Sequence, residues 1–324
     1  MRQKKGTYKA VRVAAMLIAA MAVAGNARGQ ANPATAFYWE NPYAINPASI
    51  RTEAMAHFSL SARKQWIGIQ GSPATFFATA ALYSPRYRMQ GGAGIVSDRI
   101  GYLHSSELSL SYAYALPLRN GNMHLGLSIG WQWQGIDREK VAAEEENDPT
   151  LANLPKTRKG WNAGLGVEYA IGSSLTIGAA TKNLRSFFKR ERAVFGGTNH
   201  LYGRYRARVM GRAYRPTPYR TTASPTTFDL EGGVCLKQYQ NEFQTDAMIS
   251  LYMNHHTQKE KLQLSVIGRS IGEIGCLAGI KLMNEFKILC CYDYNFKAWK
   301  NNAKGTCEVI ITYSIPQKKC VFVR

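Results

Sequence analysis

Long apolar runs are scarce in this sequence, although 45% of its 324 residues are hydrophobic. A membrane-spanning helix needs roughly 18 or more consecutive apolar residues. Beyond the N-terminal region no stretch reaches that length. The sequence therefore excludes a bundle of membrane helices for the main body of the chain.

The N-terminal region is the one exception. It begins with a basic segment from Arg2 to Arg12, continues through an apolar run from Val13 to Ala24 and ends in small residues before Gln30. This order is typical of a secretory signal peptide, and the apolar run is too short for a membrane anchor. We predict a cleaved signal peptide over residues 1–29 and an exported mature chain that begins at Gln30.

Acidic residues are scarce relative to basic ones. The chain has 21 Asp and Glu against 41 Lys and Arg, a formal net charge of +20, which falls to +14 without the six basic residues of the signal peptide. Much of the excess lies between Lys182 and Arg220. Two interpretations stay open: a patch for anionic lipid, polysaccharide or an acidic partner, or a solvated loop together with inward-facing arginines. No nucleic-acid partner is expected for an exported chain.

Cysteines are few and confined to the last third of the chain. None of the six forms a C-x-x-C pair, and no histidine flanks them at zinc-ligand spacing. Several fall inside strand-like runs, where a thiol behaves as a small apolar group. The pattern favours free thiols over a disulfide framework: Cys235, Cys276, Cys290, Cys291, Cys307 and Cys320.

Motifs for catalysis or cofactor binding are also missing. The six histidines are scattered and no G-x-S-x-G is present, so no nucleophile–base system is indicated. The acidic run Glu144–Glu146 with Asp148 reads as a solvated loop rather than a calcium site, and the pair His255-His256 reads as a solvated turn. We expect no enzyme, no cofactor and no metal site.

What the sequence does have is alternation, best seen from Glu107 to Trp133. Leucine and tyrosine alternate with serine and alanine up to Leu116; a turn follows at Asn120-Gly121; then Leu, Ile and Trp alternate with small or polar residues. A period of two indicates strands, and Asn-Gly indicates a tight hairpin. An apolar face ending in tryptophans opposite a small, polar face is typical of a transmembrane β-barrel.

Comparable runs recur along the chain and predict an all-β fold, a transmembrane antiparallel β-barrel of about 14 strands. A turn-rich N-terminal segment, residues 30–53, precedes the barrel, residues 54–324. The predicted strands are Ala54–Ala62, Thr75–Leu82, Gln90–Ser97, Glu107–Leu116, Met123–Trp133, Trp161–Ala170, Leu175–Lys182, Leu201–Tyr214, Thr226–Lys237, Phe243–Asn254, Leu262–Arg269, Ile274–Met283, Phe286–Tyr294 and Thr306–Ile315.

The connections between these strands support a barrel. Most links after odd-numbered strands are long and several after even-numbered strands are tight, as short periplasmic turns and long outer loops require. Three links break the rule. The segment Arg215–Pro225 is long where a short turn is expected, and Gln238–Glu242 and Ser270–Glu273 are short where long loops are expected.

Six short motifs along the chain resemble those of one family. They are Asn46-Pro47-Ala48, Arg63–Thr75, Gly92–Gly101, Gly268-Arg269, Tyr292-Asp293-Tyr294 and Gly305–Val309. In these motifs the chain is similar to the PorP/SprF outer-membrane proteins of the type IX secretion and gliding system of Bacteroidetes. The family usually has Ser and His where this chain has Thr306 and Cys307.

The resemblance implies a barrel in the cell outer membrane that does no chemistry. Its expected partners are membrane lipid and either a secreted surface protein or secretion-apparatus subunits, among them a periplasmic peptidoglycan-linked lipoprotein. The alternative is a passive transporter or pore for a hydrophobic or small polar solute.

The candidate partner-binding residues lie in and beside the first long loop. Trp66 suits a binding hot spot but equally a membrane-interface girdle. The full candidate set is Arg63, Lys64, Trp66, Pro73, Asp98 and Arg99.

Overall fold

The computed structural model describes residues 35–137, 157–185, 196–211, 226–239, 242–255, 258–296 and 304–317. The predicted signal peptide, Cys320 and the acidic run 144–148 lie outside these residues. Within them, no helix is long and apolar enough to cross a membrane.

Fourteen antiparallel strands form a closed barrel in which each strand pairs with its sequence neighbours and β1 closes on β14. The strands are β1 Ala54–Lys64, β2 Ala74–Ser84, β3 Met89–Ile100, β4 Leu103–Leu118, β5 Gly121–Ile136, β6 Thr157–Ile171, β7 Leu175–Lys182, β8 Thr198–Met210, β9 Thr227–Tyr239, β10 Glu242–His255, β11 Gln258–Arg269, β12 Glu273–Lys281, β13 Phe286–Asn295 and β14 Thr306–Pro316. The predicted strand number is confirmed, and the predicted boundaries differ by a few residues.

The two faces of each strand meet different surroundings. Leu127 and Ile129 on β5 are 50% and 58% exposed, whereas His124 and Gln132 on the same strand are buried. Apolar side chains therefore point outward, toward lipid, and polar or small ones point inward. The alternation predicted for Glu107–Trp133 is confirmed.

The strand links define the two ends of the barrel. The last residues of β1, β5, β7 and β13 lie at one end, which we call the loop end: Lys64, Ile136, Lys182 and Asn295. Ala54 and Pro316 pair at the opposite end, which we call the turn end. The link between β8 and β9 is long although it lies at the turn end, as its sequence predicts. By the rule for such barrels the loop end faces the cell exterior.

The lumen is filled by the chain that precedes β1. Residues 35–53, which we call the plug, contain a short helix α1 at Phe37–Glu40 and a 3₁₀ turn at Pro42–Ala44. Phe37, Tyr38 and Trp39 are buried against inward-facing side chains of the strands from β8 to β14, and Phe37 stacks on Phe77 of β2. The hydrophobic core of this barrel therefore lies inside the lumen, between the plug and the surrounding strands.

Candidate functional site

The plug runs the full height of the lumen. At the loop end, the Thr35 hydroxyl and the Ala36 N–H both donate to the carboxylate of Glu308, the latter over 2.8 Å between N and Oε2. At the turn end the plug leads directly into Ala54, the first residue of β1. The part of the predicted turn-rich segment that the structure describes, residues 35–53, thus lies inside the barrel.

Polar contacts tie the plug to strands on all sides. The Tyr38 hydroxyl donates to Asp246 Oδ2 on β10 over 2.6 Å, and Lys182 Nζ on β7 donates to the Ala44 carbonyl over 3.0 Å. Further hydrogen bonds or ion pairs join plug residues to β2, β3, β4, β6, β8, β13 and β14. Displacing the plug therefore requires breaking contacts with most of the barrel.

Small residues on the inner wall make room for the plug. A Cβ at Gly126 on β5 would overlap the backbone of Pro47 and Ala48, and a Cβ at Gly166 on β6 would overlap the side chain of Asn46. Asn46 in turn donates to the Val167 carbonyl and to the Tyr202 hydroxyl. The small inner face seen in the sequence is thus the surface on which the Asn46-Pro47-Ala48 motif packs.

A buried set of charges lies in the loop-end half of the lumen. Arg63 Nη1 lies 2.6 Å from Asp293 Oδ2 and 3.1 Å from Glu308 Oε2. Arg269 Nη1 lies 2.8 Å from Asp293 Oδ1. We call this set the loop-end charge cluster: Arg63, Lys237, Asp246, Arg269, Glu273, Asp293 and Glu308.

The loop-end charge cluster gathers motifs that are distant in sequence. Arg63, Arg269, Asp293 and Glu308 all come from segments that carry the family resemblance. Each faces inward because of strand alternation, and each finds its counter-charge on another strand. Buried ion pairs add little net stability because desolvation is costly, but they fix the relative positions of the groups. The cluster thus holds the plug and the wall strands in one arrangement.

A second charged set lies at the turn end. Arg206 on β8 pairs with Glu260 and stacks on Tyr252, with its Cζ 3.9 Å from the ring centroid. Lys287 Nζ lies 2.9 Å from Glu40 Oε2 of the plug. Three arginines of the basic segment 182–220 pair with acidic residues on the lumen side of the barrel: Arg204, Arg206 and Arg208. For these three arginines the lumen interpretation is the correct one.

The predicted partner-binding residues divide into buried and accessible groups. Arg63 is 2% exposed, and Asp98 is buried with its carboxylate accepting from the Thr75 hydroxyl over 2.6 Å. Pro73 is also buried. Lys64 and Arg99 are exposed, and Trp66 is half-buried. Of the predicted set, the residues that a partner can reach are therefore Lys64, Trp66 and Arg99.

The first long loop is ordered by pairing with its neighbours. The Ile67 N–H donates to the Gly305 carbonyl over 2.9 Å, and the Gly101 N–H donates to the Gly71 carbonyl over 2.8 Å. Trp66 adopts a φ of 48°, a left-handed conformation that is costly for a bulky side chain. The loop end thus presents Trp66 from a fixed platform made by three loops.

Alternation could have revealed the burial of Arg63. Phe58, Leu60, Ala62 and Lys64 face outward along β1, so the next inward position after Ser61 is Arg63. The prediction ended the strand at Ala62 and assigned Arg63 to the loop. The strand continues for two more residues because Arg63 and Lys64 pair with Glu308 and Cys307.

One histidine contact was not foreseen from the sequence. His57 Nδ1 lies 2.7 Å from Ser314 Oγ, and its Nε2 lies 2.8 Å from Ser59 Oγ. A serine beside a histidine is the core of a nucleophile–base pair. Here the third member is a serine instead of a carboxylate, and Ser59 and His57 are 1% and 3% exposed under the plug. The arrangement reads as a packed polar contact.

The thiols and acids of the described residues form neither disulfides nor a metal cluster. Cys235 and Cys291 are buried and Cys276, Cys290 and Cys307 are exposed, all as free thiols. No group of three or more His, Cys, Asp or Glu among those residues could hold a metal ion. For these five cysteines the prediction of free thiols is confirmed.

Cavities remain around the plug. One of about 580 Å³ at the turn end is lined by charges of both signs, among them Arg51, Glu168 and Glu260. A smaller one of about 100 Å³ lies beside Tyr38 and His200 in the loop-end half. Plug residues line both cavities and lie between them. An open pore would need a continuous path through this space.

Comparison with known proteins gives a family and a general likeness of fold. A family model described as type IX secretion system membrane protein PorP/SprF matches residues 27–313. A search of curated proteins gives no match.

Solved outer-membrane barrels are similar at low sequence identity. The Pseudomonas putida toluene transporter TodX has a TM-score of 0.45 at 9% identity, with 85% of this chain and 93% of that chain covered. The Acinetobacter baumannii outer membrane protein Omp33 has a TM-score of 0.43 at 8% identity, with 81% and 99% covered. A bacterial polysaccharide outer membrane secretin has a TM-score of 0.44 at 11% identity, with 82% and 100% covered.

Proposed function

Because this chain belongs to the PorP/SprF family of type IX secretion system membrane proteins, we propose that it is a docking barrel of the outer membrane. In this role it binds a secretion-apparatus subunit or a secreted surface protein and catalyses no reaction. The gliding system is the wider setting that the family resemblance implies.

The filled lumen is the observation that carries this proposal. A transporter needs a path for its solute, whereas a docking protein needs a rigid body that presents its loops. Here the plug fills the lumen and the buried charge cluster joins it to the wall. Such a barrel is well suited to hold a binding surface still, which lowers the entropy cost of association.

The loop end is the surface that best fits a partner from outside the cell. It exposes Lys64 and Arg99 around the half-buried Trp66, and its backbone is fixed by pairing with Gly305 and Gly71. Tryptophan and arginine are the residues most often found at binding hot spots. Since Arg63 is buried, a test of this surface must leave that residue unchanged.

Co-purification from native membranes tests the proposal. A loss of ~2 kcal/mol at a central tryptophan corresponds to roughly thirtyfold weaker binding. We expect Trp66→Ala with Arg99→Ala to lose a type IX subunit or a secreted surface protein that the wild type retains. The matched control is Tyr87→Ala with Arg86→Ala, an arginine–tyrosine contact in the link between β2 and β3 at the turn end.

Three outcomes separate the alternatives. Loss of the partner only in the Trp66 variant supports docking at the loop end. Loss only in the Tyr87 variant moves the docking surface to the turn end, toward a periplasmic partner such as a peptidoglycan-linked lipoprotein. Retention of all partners in both variants, together with solute flux through the wild-type barrel in liposomes, replaces the docking proposal with a passive transporter.

A further inference from the structure

The wall made by the strands from β10 to β14 carries apolar side chains on its outer face. Its inner face also has an apolar section, which lies between the loop-end charge cluster and the charges at the turn end. Its inner side chains belong to the same buried core as Phe37, Tyr38 and Trp39 of the plug: Met248, Ile267, Leu277, Leu289 and Ile310. Its outer face is concave and forms a groove of about 800 Å³. We call this concavity the outer groove.

Short side chains create the outer groove. Strand register places outward residues in two adjacent rows across the wall, in which Cys276 and Cys307 flank Tyr292, and Ala278 and Val309 flank Cys290. On the opposite wall the corresponding outward positions of β4 and β5 carry Leu110, Leu127 and Ile129. Thiols and methyl groups in place of leucines leave a depression that only an apolar group can fill without cost.

The groove has a cationic rim at the loop end. Cys307 pairs in register with Lys64 on β1, so Lys64 continues the row of the groove. Tyr292, which lines the groove, donates its hydroxyl to the Lys304 carbonyl. Both lysines are exposed. Lys64 Nζ donates one hydrogen bond, to the Ser72 carbonyl over 2.7 Å, and an ammonium group has three donors.

From this juxtaposition we infer that the outer groove binds a phosphorylated, acylated glycolipid of the outer leaflet. An acyl chain lies over Cys276, Ala278 and Cys290, and a phosphate lies at Lys64 and Lys304. The groove occupies the loop-end half of the wall, which is the half that faces the outer leaflet. Lysine is a common phosphate ligand that acts as a point charge.

The volume of the groove agrees with this ligand. A methylene group fills about as much space as a water molecule in the liquid, ~30 Å³, so the groove accepts roughly 25 methylene groups. That is enough for at least one acyl chain of a membrane lipid. The site shares Lys64 with the candidate partner residues. The tests below use Cys290 and Lys304, which lie outside those residues, so their outcome does not depend on the proposed docking function.

Native mass spectrometry of the full-length protein in detergent, titrated with purified bisphosphorylated lipid A, tests the inference. We expect one tightly bound lipid A per wild-type protein and roughly tenfold weaker binding, ~1.4 kcal/mol, for Cys290→Trp, which fills the groove. Leu127→Trp places the same side chain on the opposite outer wall and is expected to bind like wild type. Each variant is checked for folding by gel electrophoresis, in which a folded barrel migrates faster unboiled than boiled.

The rim is tested separately with Lys304→Gln. It is expected to weaken binding of bisphosphorylated lipid A several-fold and to leave binding of dephosphorylated lipid A unchanged. Lys259→Gln, an exposed lysine at the turn end, is the control and is expected to change neither.

Thiol labelling gives a second readout. Lipid A in the groove is expected to slow the labelling of Cys290 by maleimide, which the mass of the labelled peptide measures. It is not expected to slow the labelling of a cysteine introduced by Leu127→Cys. Two results would overturn the inference, because each would show that the groove holds only bulk membrane lipid. The first is equal lipid A affinity for Cys290→Trp and Leu127→Trp. The second is a wild-type protein that retains phosphatidylethanolamine as well as it retains lipid A. A dimer mass that Cys290→Trp abolishes assigns the groove to a second copy of this chain instead.

Discussion

Arg63 shows what a single side chain contributes to the loop end. Its guanidinium contacts Asp293 and Glu308 and lies 4.0 Å from Glu273 through Nη2, with no exposed side-chain surface. Glu308 also accepts from the Thr35 hydroxyl and the Ala36 N–H of the plug. One residue thus links the end of β1, the start of β14 and the plug.

Arg63→Gln is therefore expected to destabilise the barrel. Removing one partner of a buried ion pair leaves an uncompensated charge and costs roughly 3–5 kcal/mol. Urea unfolding in detergent measures the change. Arg99→Gln, at an exposed site, is expected to stay within about 0.5 kcal/mol of wild type.

The rescue variant Arg63→Gln with Glu308→Gln separates charge from packing. Since it removes one carboxylate together with the guanidinium, it is expected to recover part of the lost stability. If Arg63→Gln is as stable as Arg99→Gln, the buried ion pair does not hold the loop end.

The outward position of Leu127 leads to a second prediction at this scale. An arginine on the lipid face near the midplane costs roughly 2 to 4 kcal/mol, so Leu127→Arg is expected to reduce the yield of assembled barrel. Leu127→Met keeps the face apolar and is expected to assemble like wild type. Heat-modifiable gel mobility of outer-membrane fractions measures both.

The inward neighbour Ser128 is a poor site for a charged control. It borders a cavity of only about 30 Å³ beside Tyr43 and Pro47 of the plug. Ser128→Arg would press on the plug instead of entering water. The lumen at this position is packed, which alternation in the sequence does not reveal.

At the scale of elements, the plug and the wall of β5 and β6 depend on each other. Gly126 and Gly166 allow the backbone of residues 46–48 to approach the wall. Asn46 and Tyr43 then bond to strands β6 and β4. A methyl group at either glycine would push the plug away while leaving the outer face of the barrel unchanged.

Gly126→Ala is expected to loosen the plug without unfolding the barrel. Limited trypsin digestion is then expected to cut after Arg51 faster than in wild type, and ion conductance in planar bilayers is expected to rise from the closed wild-type level. Gly91→Ala, where a Cβ meets nothing within 4 Å, is the control. Conductance that is equally high in wild type and both variants would mean that the plug does not close the lumen.

At the scale of the whole molecule, the closed strand ladder and apolar outer surface make this an outer-membrane barrel. A closed ladder leaves no strand edge unpaired, which is why such a barrel keeps its shape in detergent. The mature protein is therefore expected to fractionate with the outer membrane and to migrate faster unboiled than boiled.

Export provides the last prediction. N-terminal sequencing of the outer-membrane form is expected to begin at Gln30, because the basic start, apolar run and small residues before it have the order predicted for a signal peptide. A mature form that retains residues 1–29 would show that the N-terminal run is not cleaved.

The sequence by itself determined the features that depend on neighbouring residues. The alternation along each run predicted fourteen strands, the lipid-facing and lumen-facing sides, and free thiols on strands. Asn120-Gly121 predicted the tight turn between β4 and β5. The strand features follow from local geometry, since successive side chains on a strand point to opposite faces. The turn is tight as predicted, although neither Asn120 nor Gly121 adopts the positive φ that Asn-Gly usually supplies in such turns.

Only the tertiary structure decided what fills the barrel and what surrounds its charges. Thr35 and Glu308 are 273 residues apart, and Arg63 and Asp293 are 230 apart. No local pattern brings such groups together. Closing the sheet places β1 beside β14 and leaves a lumen that residues 35–53 occupy, so a segment with no strand pattern becomes part of the core. The contacts of Arg63 with Asp293 and Glu308, and of Gly126 with residues 47 and 48, follow from that closure, because they are set by what lies across the lumen rather than by what lies next along the chain.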